Sequence, residues 1–256
     1  KEYWSEVLGS LKAEYPDFFL MAEVYWGLEP ELLRMGFDYV YDKAGYDRLR
    51  AFDMMGYKQG LAEEGDGRSR RVRFLENHDE DRLAAAFPAK AFRSTAVLHA
   101  TSPGLRLFHH GQLEGLRTRL PLQLGREPDE ATDPDVSSFY QRLLAVTKEP
   151  VFKQGDPCVL SVSPASSGDE GFRPIVGFAY RYGDEVGLVA VNQGEQIASG
   201  YLRFRKGFWQ GWLRVDFRER LAEPEEVYAR HPEELGDQGL YVRLEPYAFH
   251  LLSATR

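Results

Sequence analysis

The sequence predicts an α/β fold in which half of a (β/α)8 barrel, residues 1–150, is followed by an all-β antiparallel sandwich, residues 151–256. Strands alternate with helices in the first part, which is typical of βαβ units and a parallel sheet. Short alternating strands separated by Gly, Asp and Pro fill the second part. Two apolar strands of the first part lead into carboxylates, Glu23 and Asp79. Acids at strand ends are how a (β/α) barrel builds an active site.

The first part begins with a predicted helix over residues 1–16, which Pro16 ends. Residues 18–22 are apolar throughout and predict a strand buried on both faces. Four strands, each followed by a helix, are predicted in all, and four is half the number in a closed barrel. The remaining elements are a helix at 27–36 ended by Gly36, a strand at 37–41, a helix at 43–60, a strand at 72–77, a helix at 88–101, a strand at 105–110 and a helix at about 135–148 capped by Asp135 or Ser137.

The second part carries an alternating pattern of polar and apolar residues that predicts half-buried strands. One longer helix is predicted there, over residues 223–235. The alternating segments that predict strands are 158–163, 175–183, 185–193, 199–207 and 239–253.

Composition excludes several classes of function. The net charge of −8 argues against a general nucleic-acid binder, and the basic cluster at 68–71 reads as a loop. A single cysteine, Cys158, excludes an intrachain disulfide and any multi-cysteine metal site. No apolar run approaches the roughly 20 residues that a membrane span needs. Aromatic residues make up 13% of the chain, which suits a carbohydrate site but equally a packed core.

Glu23 and Asp79 are the candidate catalytic residues. A carboxyl group at the rim of an apolar strand, shielded by aromatic rings, can have the raised pKa that a general acid requires. An ionised carboxylate beneath a sugar ring stabilises positive charge at the anomeric carbon. The alternatives are structural: Glu23 could cap a turn or pair with an arginine, and Asp79 could be a helix N-cap. Arg82 could hold Asp79 in its charged form or be a surface residue.

The sequence does not decide between two roles for the histidines near these acids. His109 and His110 follow the fourth strand, where substrate contact and loop packing are equally compatible with the pattern. The spacing of the histidines matches no HExxH or CxxC-type pattern, so we predict no metal site. The sequence also lacks GxSxG, GxGxxG and P-loop motifs, which leaves serine hydrolase, dinucleotide and nucleotide functions without support.

Three segments resemble the α-amylase superfamily, glycoside hydrolase family 13, in the order found there. The sequence AEVYW at 22–26 resembles the strand-five motif, FLENHDEDR at 74–82 the strand-seven motif, and PGLRLFHHGQLEG at 103–115 the strand-eight segment. The β-rich tail resembles the sandwich that follows the barrel in that family. The resemblance implies the second half of a TIM barrel, with Glu23 as the acid/base, Asp79 as the transition-state stabiliser and His78 in contact with the sugar.

The same resemblance extends the candidate substrate-binding residues and the partners. It adds Asn77 and Arg82 beside His78, places Tyr25 and Trp26 at the acceptor side, and implies an α-glucan or oligosaccharide substrate. No cofactor is implied within this chain, whereas a structural calcium is compatible with the preceding part of the barrel. The sequence predicts neither a nucleic-acid nor a membrane partner, and we expect a cytoplasmic location.

Two departures from the family qualify this prediction. The nucleophilic Asp of the family lies on strand four, in a Gly-Phe-Arg-x-Asp type motif that this chain does not contain. We therefore expect the nucleophile upstream of Lys1, on a missing N-terminal half of the barrel, and no activity from this chain alone. His109-His110-Gly111-Gln112 stands where relatives often have Tyr-Tyr-Gly. The alternative functions are a non-catalytic carbohydrate-binding or assembly module, or one subunit of a split enzyme.

Overall fold

A computed structural model describes residues 3–63, 65–123, 126–222, 224 and 226–256, with the side chains of residues 66 and 68 left out. Its first part contains a parallel sheet in the order β1-β2-β3-β4. The strands pair in register, with Ala22 opposite Val40 and Arg73 opposite Arg106. Their bounds are β1 Met21–Ala22, β2 Tyr39–Tyr41, β3 Arg71–Arg73 and β4 Leu105–Arg106. The predicted parallel sheet is confirmed, although each strand is shorter than predicted.

Helices connect and cover these strands. Gly36 ends α2 in the left-handed conformation, at φ 118°, as its position in the sequence predicted. The helices are α1 Tyr3–Glu14, α2 Glu29–Met35, α3 Lys43–Arg50, α4 Met54–Glu63, α5 Leu83–Ala86, α6 Phe92–Thr101, α7 Pro134–Thr147, α8 Pro150–Lys153 and, in the second part, α9 Pro232–Asp237, with 3-10 turns at Gly65–Arg70 and Ala89–Ala91. No helix within the described ranges is both long enough and apolar enough to cross a membrane.

Two predicted helix features are wrong. The helix expected over 43–60 is two helices, because Phe52 adopts a φ of 53° between α3 and α4 and interrupts the ladder. The cap of α7 is Asp133 rather than Asp135 or Ser137. The Asp133 carboxylate accepts hydrogen bonds from the backbone N–H groups of Asp135 and Val136, and Pro134 occupies the first helical turn.

The second part is an antiparallel sheet in the order β10-β9-β12-β7-β6-β5-β8-β11. Strand β5 changes partner along its length, since residues 156–160 pair with β6 and residues 161–164 with β8, so the sheet curls. The predicted helix over 223–235 is wrong, because this segment contributes β10 and only a short α9. The strands are β5 Asp156–Pro164, β6 Ile175–Tyr182, β7 Glu185–Asn192, β8 Ala198–Arg203, β9 Val215–Glu219, β10 Val227–Arg230, β11 Leu240–Leu244 and β12 Phe249–Thr255.

Three apolar clusters hold these elements together. The largest joins α4, α6 and α7 to one face of β6, β7 and β12, with Phe178 fully buried in it. A second fills the curl of the antiparallel sheet around Trp209 and Phe217. The third, under β1 and β2, is small and centres on Leu8 and Val40. The antiparallel sheet is therefore the platform on which the helices of the first part rest.

The outer edge of β1 is apolar and exposed. Phe18 is 53% exposed and Phe19 is 60% exposed. Within β1 itself, Met21 is exposed whereas Ala22 is buried. The prediction that residues 18–22 are buried on both faces is therefore wrong for this chain, because Phe18, Phe19 and Met21 are exposed and Ala22 is buried.

Candidate active site

Glu23 and Asp79 meet at the carboxyl end of the parallel sheet. Glu23 directly follows β1, and Asp79 lies in the loop after β3. Parallel strands deliver their following loops to the same edge of a sheet, so residues far apart in sequence are brought together there. Between the two carboxylates lies His78, whose Nε2 is 3.5 Å from Glu23 Oε1 and 3.5 Å from Asp79 Oδ2.

The three side chains form a compact and accessible polar cluster. One ligand atom from each lies within 4.8 Å of the other two. The same spacing is compatible with a bound metal ion, and the expected absence of a metal stays a prediction.

Tyr25 forms a hydrogen bond with Glu23, the candidate general acid. Its hydroxyl donates a 2.7 Å hydrogen bond to Glu23 Oε1. Burial, this hydrogen bond and the charges of Glu23 and Asp79 all raise the pKa of Tyr25, so the phenol stays protonated and remains a donor.

Trp26 extends the aromatic surface beside Glu23. Its side chain is 90% exposed, and its ring meets the Tyr25 ring edge-to-face at 5.8 Å. A φ of 63° at a bulky residue is uncommon and strained, and it turns the indole outward. An indole held in water beside a carboxylate offers an apolar face to a ligand.

Sequence reasoning missed Tyr41, the last residue of β2. Burial and then the charges of Glu23 and Asp79 raise the pKa of Tyr41, so this phenol lies within electrostatic range of both acids. Its ring also packs on Phe74, at 5.4 Å between centroids. The position of Tyr41 in the sequence could have identified it. Tyr41 ends β2, which lies between the two strands whose following loops carry Glu23 and Asp79.

Asn77 shapes the loop that carries His78 and Asp79. Its Oδ1 accepts hydrogen bonds of 2.9 Å from the backbone N–H groups of Asp79 and Glu80, which closes a tight turn. The residue is buried, and its Nδ2 has no hydrogen-bond partner among the described residues. The predicted contact between Asn77 and substrate stays a prediction.

Arg82 lies beneath the site and forms a hydrogen-bonded ion pair with Glu76 rather than with Asp79. Its Nη1 donates to Glu76 Oε1 at 2.7 Å, and both side chains are almost completely buried. The other carboxylate oxygen of Glu76 accepts the backbone N–H of Leu83 at 2.6 Å. The Glu76–Arg82 pair therefore ties together the two ends of the loop that contains His78 and Asp79. Neither the predicted pairing with Asp79 nor the alternative surface position is found, and sequence reasoning missed Glu76.

The chain resembles solved structures of α-amylases and of a related hydrolase over nearly its whole length. A maltogenic α-amylase from Thermotoga neapolitana superimposes with a TM-score of 0.76 at 19% identity, covering 99% of this chain and 58% of that one. An α-amylase from Geobacillus thermoleovorans, complexed with acarbose, gives 0.73 at 16% identity, covering 99% and 57%. A cyclic α-maltosyl-(1→6)-maltose hydrolase from Arthrobacter globiformis gives 0.65 at 14% identity, covering 99% and 52%.

The chain has the fold of the C-terminal part of an α-amylase. The resemblance predicted from three sequence segments is thereby confirmed at the level of the fold. The sequence itself matches no protein-family model and no curated protein. The chain spans a little over half the length of the structures it matches.

Proposed function

We propose that this chain is the C-terminal part of a retaining glycoside hydrolase or transglycosidase that acts on α-glucosidic bonds. The observation that carries the proposal is the Glu23–His78–Asp79 cluster, with His78 Nε2 3.5 Å from each carboxylate at the open end of the parallel sheet. Two neighbouring carboxylates with different partners can divide the roles of proton donor and charge stabiliser.

Glu23 is the acid/base in this proposal. The Tyr25 hydroxyl fixes one of its oxygens and leaves the other free for the leaving-group oxygen of a sugar.

Asp79 and His78 act on the sugar being cleaved. Asp79 stabilises positive charge at the anomeric carbon, and its exposure leaves room for a ring above it. His78 lies between the two acids, where its ring can hydrogen-bond a sugar hydroxyl. Trp26 and Tyr25 provide the apolar surface on the acceptor side.

The missing component is the nucleophile, which we assign to a preceding half of the barrel. Parallel strands β1 to β4 are half of the eight that close a (β/α) barrel, and the uncovered edge of β1 is where a neighbouring strand would pair. The same exposed edge is compatible with a split enzyme, in which the other half is a separate chain. Sequencing the gene upstream of Lys1 separates the two arrangements: an in-frame Gly-Phe-Arg-x-Asp type motif supports one continuous enzyme.

The test uses the protein together with the preceding half of the barrel. Glu23→Gln should lower turnover by roughly 10²–10⁴-fold on maltooligosaccharides but much less on aryl α-maltosides with activated leaving groups, since only the former need a proton donor. Asp79→Asn should impair both substrates alike, because charge at the anomeric carbon does not depend on the leaving group.

The matched control is Asp81→Asn. Asp81 lies in the same loop as Asp79 but faces Arg50, with 3.8 Å between Asp81 Oδ2 and Arg50 Nη2, and its substitution should leave turnover unchanged. Equal losses on both substrates for Glu23→Gln would contradict the assigned role. Robust hydrolysis by residues 1–256 alone would contradict the need for a nucleophile from elsewhere.

A further inference from the structure

The loop after β4 brings a second histidine to the open end of the sheet. His109 is held by its backbone, which donates to Gln112 Oε1 at 3.3 Å and accepts from the N–H of Gln112 at 3.0 Å. Gln112 is itself buried and anchored by a 3.0 Å hydrogen bond to the Tyr140 hydroxyl. The imidazole of His109 is 30% exposed. A rigid loop therefore carries a partly accessible ring.

Arg82 determines which nitrogen of that ring carries the proton. Arg82 Nη1 lies 2.8 Å from His109 Nδ1. A guanidinium is always protonated and only donates, and the two hydrogens of Nη1 also face Glu76 Oε1 and the carbonyl of His110. An Nδ1–H of His109 would point at a donor here, so Nδ1 is the unprotonated nitrogen of the ring. The alternative, an Nδ1–H that donates to Glu76, is not supported because Glu76 Oε1 is 3.6 Å away, beyond hydrogen-bond range. The neutral ring then carries its hydrogen on Nε2.

Electrostatics keep the ring neutral. Burial lowers the pKa of His109, and the charges of Arg82, His110 and His78 lower it further. Protonation of Nδ1 would also place two N–H groups against each other at the Arg82 contact. The lowered pKa and the Arg82 contact therefore both disfavour the imidazolium form of His109.

We propose that His109 is a substrate-binding residue that presents a fixed Nε2–H donor to a sugar hydroxyl, and that Arg82 is the positioning residue that fixes this donor. The inference rests on the proposed function, since it names a further contact in the same site. Nδ1 faces the buried Glu76–Arg82 pair, so Nε2, at the opposite side of the ring, belongs to its accessible part.

The first measurement is independent of any sugar. Long-range ¹H–¹⁵N correlation spectra of the protein labelled with ¹⁵N-histidine report which ring nitrogen is protonated, and the His109 signals are assigned by their loss in His109→Gln. At pH 7 we expect an unprotonated Nδ1 and a protonated Nε2. In Arg82→Lys, which keeps the charge but loses the planar contact, we expect a mixture of tautomers. An Nδ1-protonated ring or an imidazolium in the wild-type protein would overturn the proposal.

The second measurement is the affinity for maltohexaose, determined by calorimetric titration of the protein with its preceding half. His109→Phe keeps a ring but loses the donor, and we expect Kd to rise about threefold to tenfold, the worth of one neutral hydrogen bond. His109→Gln, whose amide N–H₂ can replace Nε2–H, should stay close to wild type. His110→Phe is the control, because the His110 side chain is 78% exposed and directed toward Glu127.

The two measurements separate the new inference from the function on which it rests. Wild-type affinity in His109→Phe, together with the expected tautomer, would overturn the substrate contact and leave the proposed function intact. If the wild-type protein binds no maltohexaose, the proposed function fails and the contact fails with it. The imidazole spectrum would still decide whether Arg82 fixes the tautomer.

Discussion

The two sheets of this molecule are built in opposite ways. Strands β6 and β7 each run for eight residues with almost every residue buried, whereas β1 to β4 have two or three residues each. The antiparallel sheet completes most of its backbone hydrogen bonds within itself, and the parallel sheet leaves the apolar edge of β1 open. All the site residues predicted from the sequence lie in the loops that follow the short strands of the parallel sheet. The site is thus formed by loops of the parallel sheet, and the antiparallel sheet provides the rigid support.

The two regions nevertheless share one core. Tyr180 of β6 donates its hydroxyl to the backbone carbonyl of Thr101 at the end of α6. Lys58 of α4 donates to the carbonyls of Arg173 and Ile175, at 2.7 and 3.1 Å. Because these contacts cross from the first part to the second, loss of the antiparallel sheet should also loosen the helices that support the site.

The largest effect on stability is expected in this shared core. Phe178→Ala removes a completely buried ring from β6 and should lower the free energy of unfolding by about 3–5 kcal/mol, from lost burial and the cavity that remains. Urea unfolding followed by far-UV circular dichroism measures this change. Tyr182→Ala is the control on the same strand, since Tyr182 is 42% exposed, and it should cost less than about 1 kcal/mol. Equal costs would show that β6 is not the platform described above.

The order and type of the elements could be predicted because they follow from local patterns. Gly36 as a helix end and the alternation of residues 175–192 each depend on a few adjacent residues. The interruption at Phe52 could not be predicted, because a positive φ at phenylalanine is imposed by tertiary packing between α3 and α4. Strand β10 lies at the edge of the sheet and was predicted as part of a helix, and the five-residue strand β9 was missed.

The candidate site was predictable only where a side chain ends a strand. Glu23 and Asp79 carry that signal, and the structure brings them together. Arg82 was assigned to Asp79 from sequence proximity, whereas its partner is Glu76, six residues earlier. Tyr41 carries the same signal at the end of β2 but was overlooked, whereas the contact between Arg82 and His109 depends on how β3 and β4 pair rather than on any local pattern.

The next largest effect concerns pH and arises in the first part. His99 of α6 is buried, and its Nε2 lies 3.0 Å from the carbonyl of Arg73 in β3. Burial lowers the pKa of His99 to about 4. The unfolded chain, with a pKa of roughly 6.5, binds more protons between these values, so stability rises with pH across that interval. We expect roughly 3 kcal/mol to be lost as the pH falls from about 6.5 to 4.

The measurement is chemical denaturation at a series of pH values, compared with His99→Gln. Glutamine retains an N–H donor for the Arg73 carbonyl but does not titrate, so its stability should change less across the same interval. Identical pH profiles for the two proteins would show that His99 does not contribute this dependence. A loss confined to the first part, seen as changes in its tryptophan or amide signals alone, would mean that the two sheets unfold separately.

The smallest effect on stability, and the most direct test of the open edge, is expected from Phe19→Ser. Phe19 is 60% exposed and contacts Tyr39 edge-to-face at 6.0 Å, so its removal should change the free energy of unfolding by less than about 1 kcal/mol. Its expected consequence is on association, because an uncovered apolar strand edge is a template for pairing with another chain. Sedimentation velocity of residues 1–256 should show less self-association in the variant.

Leu213→Ser is the matched control from the second part. Leu213 is 94% exposed but lies outside any strand, and replacing a single scattered apolar residue of this kind should leave self-association unchanged. If both variants self-associate to the same extent as the wild-type chain, the β1 edge is not the surface through which the chain associates.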